Sequence, residues 1–394
     1  MLKKNFFSRL RRLISSPSLI AYHLKKMTLE KWWRRIKYEL DWSKPYYPKS
    51  IILLPTARCN LNCISCNIGL RNLEKSVKQA FEKKEEIGID EWRSIVDKIS
   101  FFNPMISVSG GEPFLYPGTI NLIEYIKKKG LYCSVSTNAT TLKKSDIQRI
   151  VDSGLDMLTV SIDGIGEVHD QIRGMKGTFE KAVSKLGKII AYKKELKRSY
   201  PILHINCVMS PLNQGRLEDV AEFFTNFGVD SLNFSHIWFY NQEMVELQNT
   251  LYSNTLFEIK ETLGGKFGAE KQGERNLGEL WNKISAIKEK YKGFNISFLP
   301  DLKSFEELEI YYQSPITPIS NDAKCYAPWK AIEIYSNGDA EFSGACFHIY
   351  VGNFLKQSFN DVWNSDSYIS IRKKMKEVGA FPICSRCCYI FQEL

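Results

Sequence analysis

Three cysteines lie close together near the start of the chain, in the C-x3-C-x2-C pattern formed by Cys59, Cys63 and Cys66. They come shortly after the apolar stretch at residues 51–54, which predicts a strand ending just before them. Three thiolates at this spacing can bind three irons of a four-iron cluster from one loop and leave the fourth iron open to another ligand. A structural zinc site needs four nitrogen or sulfur ligands, and no fourth Cys or His lies near this loop. Buried free cysteines are the remaining alternative, since a disulfide framework is not expected in a chain of this size without a secretory signal.

The cysteine spacing and its place after a strand resemble the cluster loop of the radical S-adenosylmethionine (SAM) enzyme superfamily. The resemblance implies a [4Fe-4S] cluster on Cys59, Cys63 and Cys66, with SAM bound to the open iron. Relatives often have an aromatic residue before the third cysteine that packs on the adenine. Here that position is Ser65, so the resemblance does not supply an adenine contact.

Composition bounds the kind of protein. With 394 residues and 44% hydrophobic content, the chain can bury a large core and predicts one large domain with a smaller one. No apolar run approaches the roughly 18 residues of a membrane span. Ten cysteines without a secretory signal favour reduced thiols and bound metal over disulfides. We therefore expect a cytoplasmic protein.

Positive charge is concentrated at the amino terminus. The first forty residues carry eleven Lys or Arg against two acids, a net of +9, whereas the whole chain carries +10. We interpret residues 1–48 as a basic helical N-terminal extension. It could be a solvated cap on the barrel, dock an acidic partner, or place residues 1–40 on an anionic membrane surface, which would make the protein peripheral to the membrane. Nucleic acid is not expected as a partner, because no recognition motif accompanies the charge.

Short apolar strands alternate with amphipathic helical stretches such as 146–153 and 179–194. Such alternation predicts a parallel sheet with right-handed crossovers, and six units are too few for an eight-stranded barrel. We predict an α/β fold, a partial (β/α)6 TIM-like barrel over residues 49–240, with its chemistry at the carboxyl ends of the strands. The predicted strands are 50–55, 104–109, 131–136, 157–162, 203–209 and 231–236.

A glycine pair follows the second predicted strand, in the run Gly110, Gly111, Glu112 and Pro113. Paired glycines let the backbone approach a ligand closely, although alone they would indicate only a turn. In this position the run resembles the motif that contacts the SAM amino group in the radical SAM family.

Polar residues end the next two strands. The resemblance implies that this region contacts the ribose and carboxylate of SAM, and the forked guanidinium of Arg173 suits a carboxylate. Ordinary loop-capping residues are the alternative for each position, and Asn206 on the fifth strand is a further candidate. No residue is assigned as catalytic. The predicted cofactor-binding side chains here are Ser136, Asn138, Ser161, Asp163 and Arg173.

A second cysteine set lies at residues 321–394. Asn337 and Gly338 between two apolar runs predict a two-residue hairpin turn. The order of motifs resembles a SPASM domain in its shortened, twitch form, and implies a second, auxiliary [4Fe-4S] cluster in a small C-terminal α+β domain. A four-cysteine zinc site is the alternative. The ligands of this auxiliary cluster that the resemblance implies are Cys325, Cys346, Cys384 and Cys387.

The remaining cysteines and the connecting region complete the assignment. Cys388 stands beside Cys387, and the sequence does not separate the two as the last ligand. Cys133 and Cys207 lie in apolar strands and are predicted to be core residues. Residues 241–320 carry no motif and are predicted to form a helical connecting region that closes the barrel and contributes to the substrate site, with a plain structural insert as the alternative.

The resemblance implies reductive cleavage of SAM to a 5′-deoxyadenosyl radical, which abstracts hydrogen from a substrate C–H. The auxiliary cluster would take up the substrate radical's electron, and an electron donor such as a flavodoxin or ferredoxin would be needed. Oxidation of a small molecule or sugar is favoured, because no peptide-recognition domain is evident before residue 50. A maturase that modifies a peptide or protein side chain is the alternative. A non-catalytic iron–sulfur electron-transfer protein is the third, against which the intact Gly110–Pro113 motif, residues 110–113, argues.

Overall fold

The structure is a computed structural model that describes residues 46–64, 66, 85–253, 255, 275–319, 324–342 and 349–391. Most of the predicted N-terminal extension, Ser65 and Cys346 lie outside these residues, as does part of the connecting region. No helix within the described ranges is long and apolar enough to cross a bilayer.

Ten strands form one sheet within the described residues. They are β1 (Ser50–Leu54), β2 (Met105–Val108), β3 (Tyr132–Thr137), β4 (Met157–Ser161), β5 (Ile202–Met209), β6 (Ser231–His236), β7 (Ile296–Leu299), β8 (Ala331–Tyr335), β9 (Asp339–Phe342) and β10 (Tyr350–Asn353).

Helices connect and flank these strands. They are α1 (Ile89–Ser100), α2 (Thr119–Lys128), α3 (Lys144–Asp152), α4 (Glu167–Arg173), α5 (Thr178–Glu195), α6 (Leu217–Phe227), α7 (Gln242–Tyr252), α8 (Leu277–Lys290), α9 (Phe305–Gln313), α10 (Ala327–Lys330), α11 (Phe359–Trp363) and α12 (Asp366–Val378).

The sheet is open and mostly parallel. Its strand order is β10-β9-β8-β1-β2-β3-β4-β5-β6-β7, with every pair from β1 to β7 parallel. Strand β8 runs parallel to β1 on the other side, whereas β9 and β10 are antiparallel additions. The predicted α/β fold with a partial barrel is confirmed, and the six predicted strands match β1 to β6 within one residue at each end.

The helix-facing side of the sheet forms the core. On β1 the buried residues Ile51 and Leu53 alternate with half-buried neighbours. Helix α1 buries Trp92, Ile95 and Ile99 against this side, and its acidic first turn and basic last turn suit the helix dipole. Each fully buried aliphatic side chain contributes about 1.5–3 kcal/mol. The helix layer therefore fixes the sheet and leaves its other face for the site.

The structure adds one strand to the predicted elements and corrects one turn. Region 241–320, predicted as a helical connecting region, contains α7, α8 and α9 and also a seventh parallel strand, β7, which pairs with β6 from Leu232 opposite Ile296. Four residues far from the preceding strand give a weak sequence signal. The turn between β8 and β9 has three residues instead of two, because Gly338 at φ +80° adds a left-handed residue and donates to Tyr335 O at 2.9 Å.

Candidate functional site

The three clustered cysteines lie on the loop that follows β1. None is in a disulfide; Cys63 is buried, and Cys59 and Cys66 are half-buried. The Leu61 N–H donates to Cys59 Sγ at 3.5 Å. Burial raises the pKa of Cys59 to about 11 and also raises the pKa of Cys63. These thiols are therefore protonated at neutral pH unless a bound metal displaces their protons.

The carboxyl end of α4 holds the cysteine loop in place. Asn62 N–H donates to Arg173 O at 3.3 Å, and Ile64 N–H donates to Ile172 O at 3.0 Å. Gly174, at φ +72°, ends the helix where a Cβ would lie 2.3 Å from Asn62 O. The loop and α4 can approach this closely only because the residue there is glycine.

The predicted glycine pair packs against the segment that leads into the cysteine loop. Gly111 N–H donates to Thr56 O at 3.0 Å, and Glu112 N–H donates to Arg58 O at 2.7 Å. A Cβ on Gly110 would lie 2.4 Å from Thr56 O, and one on Gly111 would lie 2.2 Å from Arg58 O. The two glycines thus give the loop its backbone support, and their contact with SAM stays a prediction.

Glu112 links that turn to the end of β3. Its buried carboxylate accepts hydrogen bonds from Thr137 Oγ1 at 2.6 Å, Asn138 N at 2.8 Å and Phe114 N at 3.2 Å. Burial raises the pKa of this carboxyl. Pro113, the last residue of the predicted motif, is buried and begins a short 3-10 helix.

An amide network joins the end of β3 to the cysteine loop. Asn138 Nδ2 donates to Asn60 Oδ1 at 3.0 Å, and Asn60 Nδ2 donates to Thr140 Oγ1 at 2.9 Å. Ser136, also predicted, is half-buried on β3. Sequence reasoning missed Asn60 and Thr137, although both lie within predicted motif regions.

Asp163 and Arg173 come together beside Cys63. Arg173 Nη2 pairs with Asp163 Oδ2 at 2.8 Å, and Arg173 Nη1 donates to Cys63 Sγ at 3.8 Å. Asp163 Oδ1 accepts from Val208 N at 2.9 Å, and burial raises the pKa of the carboxyl while Arg173 opposes that shift. His169 Nδ1 accepts from Asp163 N at 3.1 Å, and burial lowers the pKa of His169 to about 3, so its ring is neutral.

A row of polar side chains crosses the second half of the barrel. Asn233 Nδ2 donates to Asn206 Oδ1 at 2.8 Å, and Ser297 Oγ donates to Asn233 Oδ1 at 2.8 Å. Ser161 of β4 pairs in register with Asn206, which extends the row by one strand. Asn233 and Ser297 were not predicted, although a polar residue at every second position of an apolar strand is the signal that indicates such a face. The row consists of Ser161, Asn206, Asn233 and Ser297.

Three cysteines of the second set are described, and all are buried and outside disulfides: Cys325, Cys384 and Cys387. Cys346 lies outside the described residues, and so does the side chain of Cys388. Cys133 and Cys207 lie in the hydrophobic core, as predicted.

Arg386 fastens the loop between Cys384 and Cys387. Its fully buried guanidinium donates to backbone carbonyls at the carboxyl end of α9 and in the turn after it. The distances are 2.6 Å to Tyr311 O, 2.7 Å to Ile310 O, 2.6 Å to Ser314 O and 3.0 Å to Thr317 O.

The donors of the cysteine loop after β1 suit an iron–sulfur cluster. Among the described residues, no three His, Cys, Asp or Glu side chains converge on one point that could hold a metal ion. In a four-iron cluster each cysteine binds a different iron, so its ligands stay apart. The N–H groups directed at Cys59 and Cys63 suit thiolate ligands, because hydrogen bonds to sulfur are a standard feature of such clusters.

Comparison with known families agrees with this geometry. The model for the radical SAM superfamily matches residues 53–224, and the model for the SPASM iron–sulfur cluster-binding domain matches residues 325–388. The chain belongs to the radical SAM superfamily. More narrowly, it is a radical SAM protein with a SPASM domain, a class whose cofactors are SAM, a [4Fe-4S] cluster in the barrel and further iron–sulfur clusters in the SPASM domain.

This chain is similar in sequence to proteins with different names. The chain is 34% identical to Fe-coproporphyrin III synthase of Methanosarcina barkeri over 148 residues, 37% of this chain and 35% of that protein. It is 22% identical to the tungsten-containing aldehyde ferredoxin oxidoreductase cofactor-modifying protein of Pyrococcus furiosus over 345 residues, 86% of this chain and 87% of that protein. The chain thus spans about a third of the first relative and most of the second.

A solved structure shares the fold. Streptococcus suis SuiB bound to its precursor peptide SuiA matches with a TM-score of 0.59 at 17% identity, covering 86% of this chain and 70% of SuiB.

Proposed function

We propose that this protein cleaves SAM reductively and uses the resulting radical to abstract hydrogen from a substrate C–H. The observation that carries the proposal is the loop of Cys59, Cys63 and Cys66, which is hydrogen-bonded on one side to the Gly110–Gly111 turn and on the other to the end of α4. Both supports lie at the carboxyl edge of the parallel sheet, where barrel enzymes place their chemistry.

The bound cluster and SAM supply the electron transfer and the radical. The chain's own residues hold and orient them. Cys59, Cys63 and Cys66 would bind three irons, and the glycine turn lets the backbone approach SAM closely. Ser136, Asn138, Ser161 and Asp163 stay proposed as SAM contacts, with Arg173 as its carboxylate partner.

We propose a small polar molecule as the substrate, oxidised with the help of the auxiliary cluster. The amide and hydroxyl groups of Asn206, Asn233 and Ser297 on β5 to β7 support this, because such groups bind hydroxyl, carbonyl or carboxylate groups of a ligand inside a barrel. The name of the Pyrococcus furiosus relative, a cofactor-modifying protein, is in line with this proposal. A sugar-type substrate belongs to the same proposal.

A peptide or protein side chain is the second candidate. The similarity in fold to SuiB, which was solved with a precursor peptide, favours it. In either case we propose a flavodoxin or ferredoxin as the electron donor. The proposed ligands of the auxiliary cluster are Cys325, Cys346, Cys384 and Cys387. An anionic membrane surface is the proposed partner of residues 1–40.

The first experiment measures 5′-deoxyadenosine and methionine formed from SAM with dithionite under anaerobic conditions. Replacing Cys59, Cys63 and Cys66 together by Ala is expected to abolish both products. Cys133→Ala, which changes a buried core cysteine on β3, is the matched control and should retain them. Cleavage that survives in the triple variant would refute the assignment, and a wild-type protein that binds a cluster without cleaving SAM would favour plain electron transfer.

The second experiment separates the substrate classes. Small polyhydroxylated and carboxylated compounds are compared with peptides for their ability to increase SAM cleavage above the substrate-free rate. Asn233→Ala is expected to lower that increase without changing the substrate-free rate, whereas Asn226→Ala, at an exposed position of α6, should change neither. An increase with peptides alone would favour the second candidate.

A further inference from the structure

The guanidinium of Arg173 lies between a carboxylate and a cluster-loop sulfur. Nη2 pairs with Asp163 Oδ2 at 2.8 Å, and Nη1 donates to Cys63 Sγ at 3.8 Å. The Arg173 side chain is 13% exposed, and its Nε is buried without a hydrogen-bond partner. A positive charge is therefore fixed against one ligand sulfur, largely out of contact with water.

Both members of the ion pair are held rigidly. Asp163 is 2% exposed, and its Oδ1 accepts from Val208 N at 2.9 Å on β5. Asn213 Nδ2 donates to Asp163 O at 2.6 Å. The backbone carbonyl of Arg173 accepts a hydrogen bond from Asn62 N–H in the cysteine loop. The distance between this charge and the loop is thus set by the fold and not by a mobile side chain.

The potential of an iron–sulfur cluster depends on its net charge, on hydrogen bonds to its sulfurs and on solvent exposure. A nearby charge acts more strongly here than in water, because the effective dielectric constant of a protein site is about 20 and not about 80. We propose that Arg173 raises the reduction potential of the barrel cluster, and that Asp163 is the counter-charge that limits this rise.

This proposal rests on the proposed function, since it needs a cluster on Cys59, Cys63 and Cys66. It differs from the expectation that Arg173 binds the SAM carboxylate, because it acts before SAM is present. The two roles therefore separate when the cluster is studied without SAM.

The test is an anaerobic redox titration of the full-length holoprotein without SAM, followed by electron paramagnetic resonance. The barrel cluster is identified as the signal that changes when SAM is added afterwards. At a fixed poise, Arg173→Met is expected to lower the ratio of reduced to oxidised barrel cluster about tenfold, which is about 59 mV for a one-electron couple. Asp163→Asn is expected to raise that ratio, and Arg173→Lys should stay near wild type because it keeps the charge.

A second variant protects the test against misfolding. Arg173→Met leaves the buried Asp163 carboxylate without its ion-pair partner, which is strongly destabilising. The double variant Arg173→Met/Asp163→Asn removes both charges, and its potential should lie between those of the two single variants. Lys127→Met/Asp156→Asn is the matched control, since that pair has the same exposures of 13% and 2%. It lies at the amino end of the strands and should leave the potential unchanged.

The outcomes are distinct. Opposite shifts from Arg173→Met and Asp163→Asn would support the proposal, because a loss of structure would move both potentials the same way. Unchanged potentials together with weaker SAM binding would overturn it and favour the carboxylate role. If the barrel site held no reducible, SAM-responsive cluster, the proposed function would fail instead.

Discussion

At Gly110 and Gly111, neighbouring backbone atoms occupy the space that a Cβ atom would need. A Cβ at Gly111 would lie 2.2 Å from Arg58 O and 2.6 Å from Ala57 O, both in the segment that leads to Cys59. Backbone atoms cannot swing aside as the end of a flexible side chain can. A side chain at position 111 would therefore displace the backbone that leads into the cysteine loop.

Gly111→Ala is expected to displace the cysteine loop and to cost about 1–3 kcal/mol of stability through overpacking. Iron per chain after anaerobic reconstitution should fall, together with SAM cleavage, and thermal unfolding should shift to lower temperature. Gly293→Ala is the control, because nothing lies within 4 Å of a Cβ built there. Full iron content and normal cleavage in the Gly111 variant would contradict this steric account.

Short-range sequence patterns predicted the site residues, but not the distant residues that contact them. The cysteine triad and the glycine turn were predicted because each motif lies within a few consecutive residues. The contact of Arg173 with Cys63 joins positions 110 residues apart, and the sequence pointed to Arg173 only as a carboxylate partner. The local sequence around Asn233 does not indicate that it lies opposite Asn206 and Ser297, because these neighbours depend on the register between β5, β6 and β7.

At the scale of elements, α9 connects the barrel to the second cysteine set. Tyr311 Oη donates to Ile237 O at 2.9 Å, just beyond the end of β6, while the carboxyl end of the same helix receives the Arg386 guanidinium. His236, the last residue of β6, shares a 2.8 Å hydrogen bond with Tyr312 Oη. A positive charge at a helix carboxyl terminus is stabilising. The helix thus fixes the loop of Cys384 and Cys387 relative to the barrel mouth.

Arg386→Met is expected to release that loop, because it removes the guanidinium that donates to four backbone carbonyls of α9 and the turn after it. Iron after reconstitution should fall from about eight to about four per chain as the auxiliary site empties, if both sites hold four-iron clusters. SAM cleavage at the barrel site should remain. The control is Arg372→Met, an equally buried arginine of the same domain that donates to one carbonyl, Pro328 O. Equal iron loss in both variants would point to general unfolding.

Elements with strong periodicity were predictable, and weak ones were not. The β1 to β6 strands have apolar runs close to helical segments, so both their type and their order followed from the sequence. Strand β7 has only four residues and is half-buried, so its pairing with β6 supplies what its own sequence does not. The role of α9 was equally difficult to predict, because its partners Ile237 and Arg386 lie far from it in the sequence and most of the contacts involve backbone carbonyls.

At the scale of the whole molecule, the second cysteine region is built onto the barrel sheet. All five residues of β1 pair with β8, from Ser50 opposite Ala331 to Leu54 opposite Tyr335. Strand β1 is therefore an interior strand, bonded on its other side to β2. The predicted boundary between residues 241–320 and 321–394 stays a prediction, but the sheet itself continues across it.

Removing residues 325–394 is expected to expose the edge of β1 and to give aggregated protein, because an unpaired flat strand edge is a template for association. Soluble yield and size-exclusion profile are the measurements. The full-length variant Cys384→Ala/Cys387→Ala is the control, since it loses cluster ligands but keeps β8. A soluble, monodisperse truncated protein would show that β8 is not needed to cover this edge.

The pairing of β1 with β8 also orders events during synthesis of the chain. Ser50 meets its partner Ala331 only after about 280 further residues have been made, which takes roughly half a minute at about 5–20 residues per second. Through that interval β1, the strand that leads into the cysteine loop, can pair with β2 but not yet with β8. The sheet on both sides of the cysteine loop is therefore completed only when most of the chain has been made.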